Sequence, residues 1–473
     1  PTWPPEPGRN TRYRLVPAGV WVESADMAMN VTIERTPTTS RMAWLDALRG
    51  IAALAVVFDH MGEYVLRGVR GHIFHWVDTG SYGVFVFFLI SGYIVPASLE
   101  RKGSVRAFWV SRGFRLYPMY LVAIGLAFLL WQSGQGSLRG AAQDPVNSVF
   151  SQLLMMGDVL DGPNVPNVVW SLTYEMAFYL LLTALFIAGI HKRSGGYALG
   201  FGVAALALGG VLPKEFFSGH LAAPAVVSGL ADLVILGALL SAIMLRGKPR
   251  LISAALAAVI ALLLVAVNSH GNWLYAWEIP TILGLMFTGT TLYRAEQGQY
   301  PWGRAIAVAV ATFSMGIAAG LWHSRAWGIH GLAMTYWDRR WFFSLLLAGL
   351  TFGGGFLLRH WPVPRVLAWL GLISYSSYLL HPLLLAVLNH EILHGRHFAY
   401  PGQLGLAAGY LLLLVGISSL TYLLVERPAQ QAGRRVSRWL DMRYGPDRVR
   451  VEPVRHADER VATQQPADVS VTP

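Results

Sequence analysis

The sequence holds 473 residues, of which 54% are hydrophobic and only 13% are Asp, Glu, Lys or Arg. A soluble domain carries about 25% charged residues, so a chain this apolar cannot cover itself with a water-facing surface, and a purely soluble fold is excluded. The net charge of +11 does not point to nucleic acid, because the basic residues lie between apolar runs rather than on one soluble face.

Residues 1–40 form a polar N-terminal extension rich in Pro, Thr and Arg, with no apolar signal-peptide core and a composition compatible with disorder. Twelve apolar runs follow, at 45–65, 80–99, 116–132, 168–190, 197–213, 222–245, 251–267, 273–293, 302–322, 341–359, 366–388 and 404–425. Each approaches the length needed to cross a hydrocarbon core as a helix. The expected fold is therefore all-α, a polytopic transmembrane helical bundle of 10–12 spans over residues 41–428, with 148–160 as a further re-entrant piece. From about Ala429 the chain turns Arg-rich and then loses its hydrophobicity, which predicts a cytoplasmic tail over 429–473, largely disordered.

Orientation follows from the basic residues. Arg101, Lys102, Arg106, Arg112 and Arg115 lie after the second run. Lys192, Arg193, Arg246, Lys248, Arg250, Arg294, Arg304, Arg359 and Arg365 occupy later alternate links. All fall on one side if both termini are cytoplasmic. The opposite links carry His72, His75, Asn164, Trp322, Trp337 and His390, with Arg325, Arg339 and Arg340 as exceptions to the rule. The absence of cysteine rules out disulfides, thiol nucleophiles and cysteine metal sites, and no metal is expected. Four lysines among 37 basic residues suggest GC-rich coding and a bacterial source.

Ionisable groups inside a span are costly and default to functional hypotheses. In the first run Arg49 and His60 stand eleven residues apart, on one helical face and ~16 Å apart along the axis. This predicts an imidazole near mid-bilayer, with Glu63 one turn beyond it. In the fourth run Glu175 shares a face with Ser171 and Tyr179, and a buried carboxylate with hydroxyl neighbours can orient an imidazole. In the eleventh run Ser374, Tyr378 and His381 form a polar stripe. Ser91 and Gly92 in the second permit close helix approach. For these two runs, packing and chemistry are both open on the residues alone. Arg112 and Arg115 form a guanidinium pair suited to phosphate oxygens, or equally to a lipid headgroup.

Six segments in order carry a resemblance. They are the Arg-x10-His pair Arg49/His60, Phe-x-x-Ser-Gly-Tyr around Ser91, Arg-x-x-Arg at Arg112/Arg115, and Trp-Ser-Leu-x-x-Glu-x-x-Phe-Tyr around Glu175. Ile-Ser-Tyr-x-x-Tyr-Leu-x-His then ends at His381, and Glu426-Arg427-Pro428 closes the last span. Over roughly residues 42–428 the chain resembles the acyltransferase-3 family of membrane O-acyltransferases, and the Glu175 segment is similar to members that acetylate exopolysaccharides.

The resemblance implies an enzyme of a bacterial plasma membrane that moves an acyl group, by default acetyl, from cytoplasmic acyl-CoA to a hydroxyl of a surface carbohydrate. It implies His60 and Glu175 as catalytic residues, and Arg49, Arg112 and Arg115 as ligands of the donor's phosphates. Ser91, Ser171, Tyr179, Ser374, Tyr378 and His381 are implied around the substrate. The expected partners are the lipid bilayer, acyl-CoA and a carbohydrate or glycosylated acceptor. Two other readings stand beside it: the same chemistry on a small macrolide-like metabolite, and a secondary transporter with His60 and Glu175 as a proton relay.

Overall fold

In a computed structural model of the chain, residues 40–134, 145–159, 164–212, 224–267, 274–326, 335–394 and 398–447 can be described. The expected N-terminal extension and the stretch 448–473 lie outside the described residues. No strand occurs among the described residues, as expected for a chain whose backbone polar groups must be satisfied within each segment.

The helices in chain order are α1 (Ser40–Tyr64), α2 (Arg67–Phe74), α3 (Thr79–Lys102), α4 (Val105–Gln132), α5 (Pro145–Leu153), α6 (Trp170–Ile187), α7 (Ser194–Leu208) and α8 (Pro224–Met244). They continue as α9 (Gly247–Val267), α10 (Glu278–Glu296), α11 (Trp302–Ala326), α12 (Tyr336–Leu357), α13 (Arg365–Leu372), α14 (Ser374–Leu388), α15 (Tyr400–Thr421) and α16 (Arg427–Tyr444). Each of the twelve expected spans falls on a helix, the eleventh broken at Ile373 into α13 and α14 with a bend of 68°. Among the described residues, seven helices are long and apolar enough to cross a membrane, or eight with the bent pair, by length and composition. α10 is long enough but more polar, because it is buried along nearly its whole length and has no lipid face to keep apolar. The 148–160 segment is a short helix, α5, leading into buried Leu154, Met155 and Met156.

Helix ends follow local chemistry. Asp78 caps α3 by accepting from the Ser81 amide at 2.8 Å, and Ser104 caps α4 by accepting from Ala107 at 3.0 Å. Thr335 and Asp338 form a capping box at the start of α12.

The bundle centre is set by close approach. A Cβ on Gly92 would lie 1.9 Å from the Met286 carbonyl oxygen, so only glycine lets α3 and α10 cross there, as the Ser91-Gly92 pair suggests. At Gly371 the same clash, 1.8 Å from the Asp46 oxygen, locks α13 against α1.

The two ends of the bundle are sorted as the alternating links predict. At one, Arg294 pairs with Glu100 and donates to the His191 carbonyl at 3.1 Å, while Arg359 meets Glu296 at 3.3 Å. At the same end Arg250 grips Asp447 through both nitrogens at 2.7 and 2.9 Å. At the other end Asp78 exchanges hydrogen bonds with Ser344, and Phe74 and Tyr275 pack on Tyr336 and Trp337. These are hereafter the arginine end and the histidine end.

One difference concerns the tail. Residues 427–444 are not irregular: the chain leaves α15 through a π-helical turn at Tyr422–Glu426 and continues as α16 against α4. An amphipathic arrangement of Arg434, Arg435 and Arg438 opposite Gly433, which packs on Phe114, makes this helix possible despite its polarity.

Candidate active site

The arginine end opens into a cavity of about 780 Å³, its mouth included, between α1, α3, α4, α6 and α14. Nine expected residues line it: Arg49, Arg112 and Arg115 toward the arginine end, then Ser91, Ser171, Glu175, Tyr179, Ser374 and Tyr378. On α6, Tyr179 to Ser171 marks an axial extent of ~12 Å. Sequence reasoning missed Phe87 and Tyr375 in the same wall. Tyr375 lay inside the quoted Ile-Ser-Tyr segment, and its phenol donates to the Leu116 carbonyl at 3.0 Å.

The three arginines make no ion pair within 4 Å among the described residues. Arg112 is only 7% exposed, and its Nε has no hydrogen-bond partner there. Its guanidinium lies over the Phe108 and Tyr179 rings, at 5.5 and 5.4 Å. Asp46, Glu426 and Glu175 are within electrostatic range of Arg49 without closing a bridge. Glu426, which sequence reasoning placed only in a closing motif, is swung inward by the π-helical turn and accepts from Ser376.

Glu175 sits halfway along the cavity. Its Oε1 accepts from Ser91 at 2.8 Å and Tyr179 at 2.6 Å, and no described residue hydrogen-bonds Oε2. The expected contact of Glu175 with the His60 imidazole is not formed; its partners are these two hydroxyls.

At the histidine end, the Tyr378 hydroxyl donates to the Val168 carbonyl at 2.8 Å and sits 2.7 Å from Ser171 Oγ. The Phe87 ring packs edge-on against Tyr378. These side chains form the part of the cavity wall nearest the histidine pair, the Tyr378 ring lying 6.0 Å from that of His381. His60 and His381 lie just beyond it and are absent from the lining. His60 Nδ1 is 2.7 Å from His381 Nε2, with the rings stacked at 4.9 Å. His60 stands four residues from the end of α1. Ser374, at the start of α14, donates to the Gly371 carbonyl at 2.8 Å and so secures the bend as well as lining the cavity. Among the described residues no group of three or more His, Asp or Glu side chains is placed to hold a metal ion.

The profile of the acyltransferase-3 family, described as an acyltransferase domain, matches residues 42–425. The acyltransferase MdmB of Streptomyces mycarofaciens is 32% identical over 154 residues, 30% of this chain and 39% of that protein. Nodulation protein 10 of Rhizobium leguminosarum bv. viciae is 31% identical over 193 residues, 37% of this chain and 51% of its own. The protein YrhL of Bacillus subtilis, provisionally named a peptidoglycan O-acetyltransferase, is 26% identical over 162 residues, 31% of this chain and 24% of its own. The matched segments thus span between about a quarter and half of these relatives. No solved structure matches the chain. With a family match across nearly the whole helical bundle, and five of the six quoted segments converging on one cavity and the histidine pair beside it, the chain belongs to the acyltransferase-3 family.

Proposed function

We propose that the protein is an O-acyltransferase of a bacterial plasma membrane that takes an acyl group, by default acetyl, from acyl-CoA at the arginine end. It delivers that group to a hydroxyl of a surface or secreted glycan arriving at the histidine end. The observation that carries this reading is the cavity itself: three arginines at one end that pair with no described carboxylate within 4 Å, and a histidine pair just past the other. Guanidinium groups without carboxylate partners suit the phosphates of a coenzyme. The arginine end faces the cytoplasm by the positive-inside rule. A pantetheine arm, comparable in length to half of the ~30 Å hydrocarbon core, spans the cavity from the arginines to Tyr378. Glu175 Oε2, to which no described residue donates, accepts from an amide N–H of that arm in this reading.

Transfer requires Tyr378 to swing aside, bringing the thioester carbonyl to His60. His60 then acts as general base. The acceptor oxygen bonds the carbonyl carbon as its proton passes to the imidazole, the C–S bond breaks, and the leaving sulfur takes that proton. The glycan assignment is supported by the name of the Bacillus subtilis relative and by the resemblance of the Glu175 segment. In cells lacking the gene, the wild-type protein restores acylated glycan, read by mass spectrometry. His60→Ala restores none, although it reaches the membrane in equal amount. Full acylation by His60→Ala overturns the reading. A protein that moves a solute across vesicles and transfers no label from acyl-CoA is a transporter instead.

A further inference from the structure

The His60 ring has one described hydrogen-bond partner, and that partner determines where its lone pair lies. His381 is fully buried, at 0% exposure. Its Nδ1 is 3.1 Å from the Ser377 carbonyl oxygen, and a carbonyl only accepts, so Nδ1 carries a proton. Residue 382 is proline and has no N–H. The Tyr378 carbonyl one turn back is therefore released from the helical ladder and stands as a second backbone acceptor for the His381 ring. In the neutral ring, His381 Nε2 is then bare. It can only accept, and the group 2.7 Å away is His60 Nδ1. The Tyr410 hydroxyl, donating to the His381 carbonyl at 2.9 Å, ties this turn of α14 to α15.

We infer that His381 is a positioning residue that holds His60 in its Nδ1–H tautomer and leaves His60 Nε2 as the basic nitrogen, an inference that rests on the acyl-transfer reading of the site. His381 replaces the carboxylate partner expected at Glu175. It orients the imidazole as the acid of a triad does, but as a neutral acceptor. When His60 Nε2 takes the acceptor's proton, the Nδ1–H···Nε2 bond becomes charge-assisted and strengthens. When the leaving sulfur takes that proton, both rings return to neutral. The pair holds one extra proton at most, because two imidazolium rings in this geometry would each present an N–H to the other. His381 therefore acts through His60 and does not touch the acyl group.

The test uses the full chain with radiolabelled acetyl-CoA and the glycan of the native membrane as acceptor. His381→Leu removes the acceptor nitrogen, and kcat is expected to fall on the order of 10²- to 10⁴-fold with the apparent KM for acetyl-CoA unchanged. His381→Gln can accept from His60 Nδ1 through its side-chain oxygen and is expected to stay within about tenfold of wild type. Nitrogen NMR of the ring-labelled wild-type protein, assigned by loss of signals in His60→Ala and in His381→Leu, is expected to show His60 protonated at Nδ1 and bare at Nε2. A protonated His60 Nε2 in the resting protein overturns the inference, as does a His381→Gln variant no better than His381→Leu. The tautomer readout needs no turnover, so an inactive protein with the expected tautomer faults the acyl-transfer reading and leaves the pairing standing.

Discussion

Arg112 offers a perturbation in which stability and binding should move apart. Its guanidinium is nearly buried, lacks an ion-pair partner within 4 Å among the described residues, and stands three residues from Arg115 on the same helix. Removing the charge forfeits two ring contacts, each about 0.5–1 kcal/mol. It also relieves a guanidinium desolvation of several kcal/mol and a like-charge neighbour worth roughly 0.2–0.5 kcal/mol. Arg112→Leu is therefore expected to melt at or above the wild-type temperature. A guanidinium–phosphate hydrogen bond contributes about 1.5–3 kcal/mol, which converts to a loss of coenzyme A affinity of about 10- to 150-fold. The assay pairs a thermal melt followed by tryptophan fluorescence with calorimetric titration of coenzyme A into the purified protein. A variant that melts lower while binding coenzyme A as tightly as wild type would make Arg112 a structural residue and refute the assignment.

Two further changes probe the histidine side of the cavity and the tail. Tyr378→Phe removes the stronger donor to the Val168 carbonyl and leaves it the Ser171 hydroxyl at 3.3 Å, at a cost of about 0.5–1.5 kcal/mol for the lost hydrogen bond. The loosened wall should raise acceptor-independent hydrolysis of acyl-CoA by about tenfold, equivalent to ~1.4 kcal/mol; unchanged hydrolysis would mean that the phenol does not guard the site. At the other end, burial alone would raise the Asp447 carboxyl. The Arg250 fork, the Arg106 amide and the Ser104 hydroxyl instead hold it below the usual carboxylate range. A carboxylate with a depressed native pKa adds stability above its unfolded value, near pH 4, and loses it as the pH falls through the native value. Asp447→Ala leaves Arg250 buried without its partner and should cost about 3 kcal/mol at neutral pH. The gap from wild type is expected to hold from pH 8 to about pH 5 and to close in stronger acid. A gap independent of pH would show that the carboxylate's charge is not what holds the tail.

Much of this architecture was legible because lipid imposes simple rules. Apolar run length located the helices, and the alternation of arginines sorted their ends. The Arg49–His60 spacing placed two site residues on one face of α1. What was not legible depends on partners distant in sequence. His60 and His381 are 321 residues apart, and nothing local to α1 or α14 states that their polar faces meet. Glu175 looked like the partner of His60 because both are ionisable groups within spans. Their levels differ, however: Glu175 is one turn below Ser171, which belongs to the cavity wall nearest the histidine pair, and His60 lies beyond that wall. Ser91, read as a packing residue or a substrate ligand, proved to donate to Glu175. The helical tail was missed for another reason, since its polarity reads as a solvated tail unless the face that meets α4 is known.

The reach between the proposed phosphate-binding arginines and the proposed base is set by helices rather than loops, which bears on how such a site would work. Arg49 and His60 share α1 at a spacing of ~16 Å, so the distance from the cavity mouth to the imidazole is the rise of one helix. α1 cannot slide to change it. The Asp46 carbonyl is pressed against Gly371 on one side and the Ala52 carbonyl against Gly83 of α3 on the other, contacts that a single added Cβ would break. α14 extends the same frame, with Ser374 and Tyr378 in the cavity wall and His381 on the His60 ring. A donor whose reactive carbon stands a fixed arm's length from its phosphates is matched to such a frame. Rigid elements of this kind hold reacting groups within the fractions of an ångström that proximity demands. In the proposed reaction the part that must move is then one phenol, Tyr378, and its swing would leave the spacing that α1 fixes unaltered.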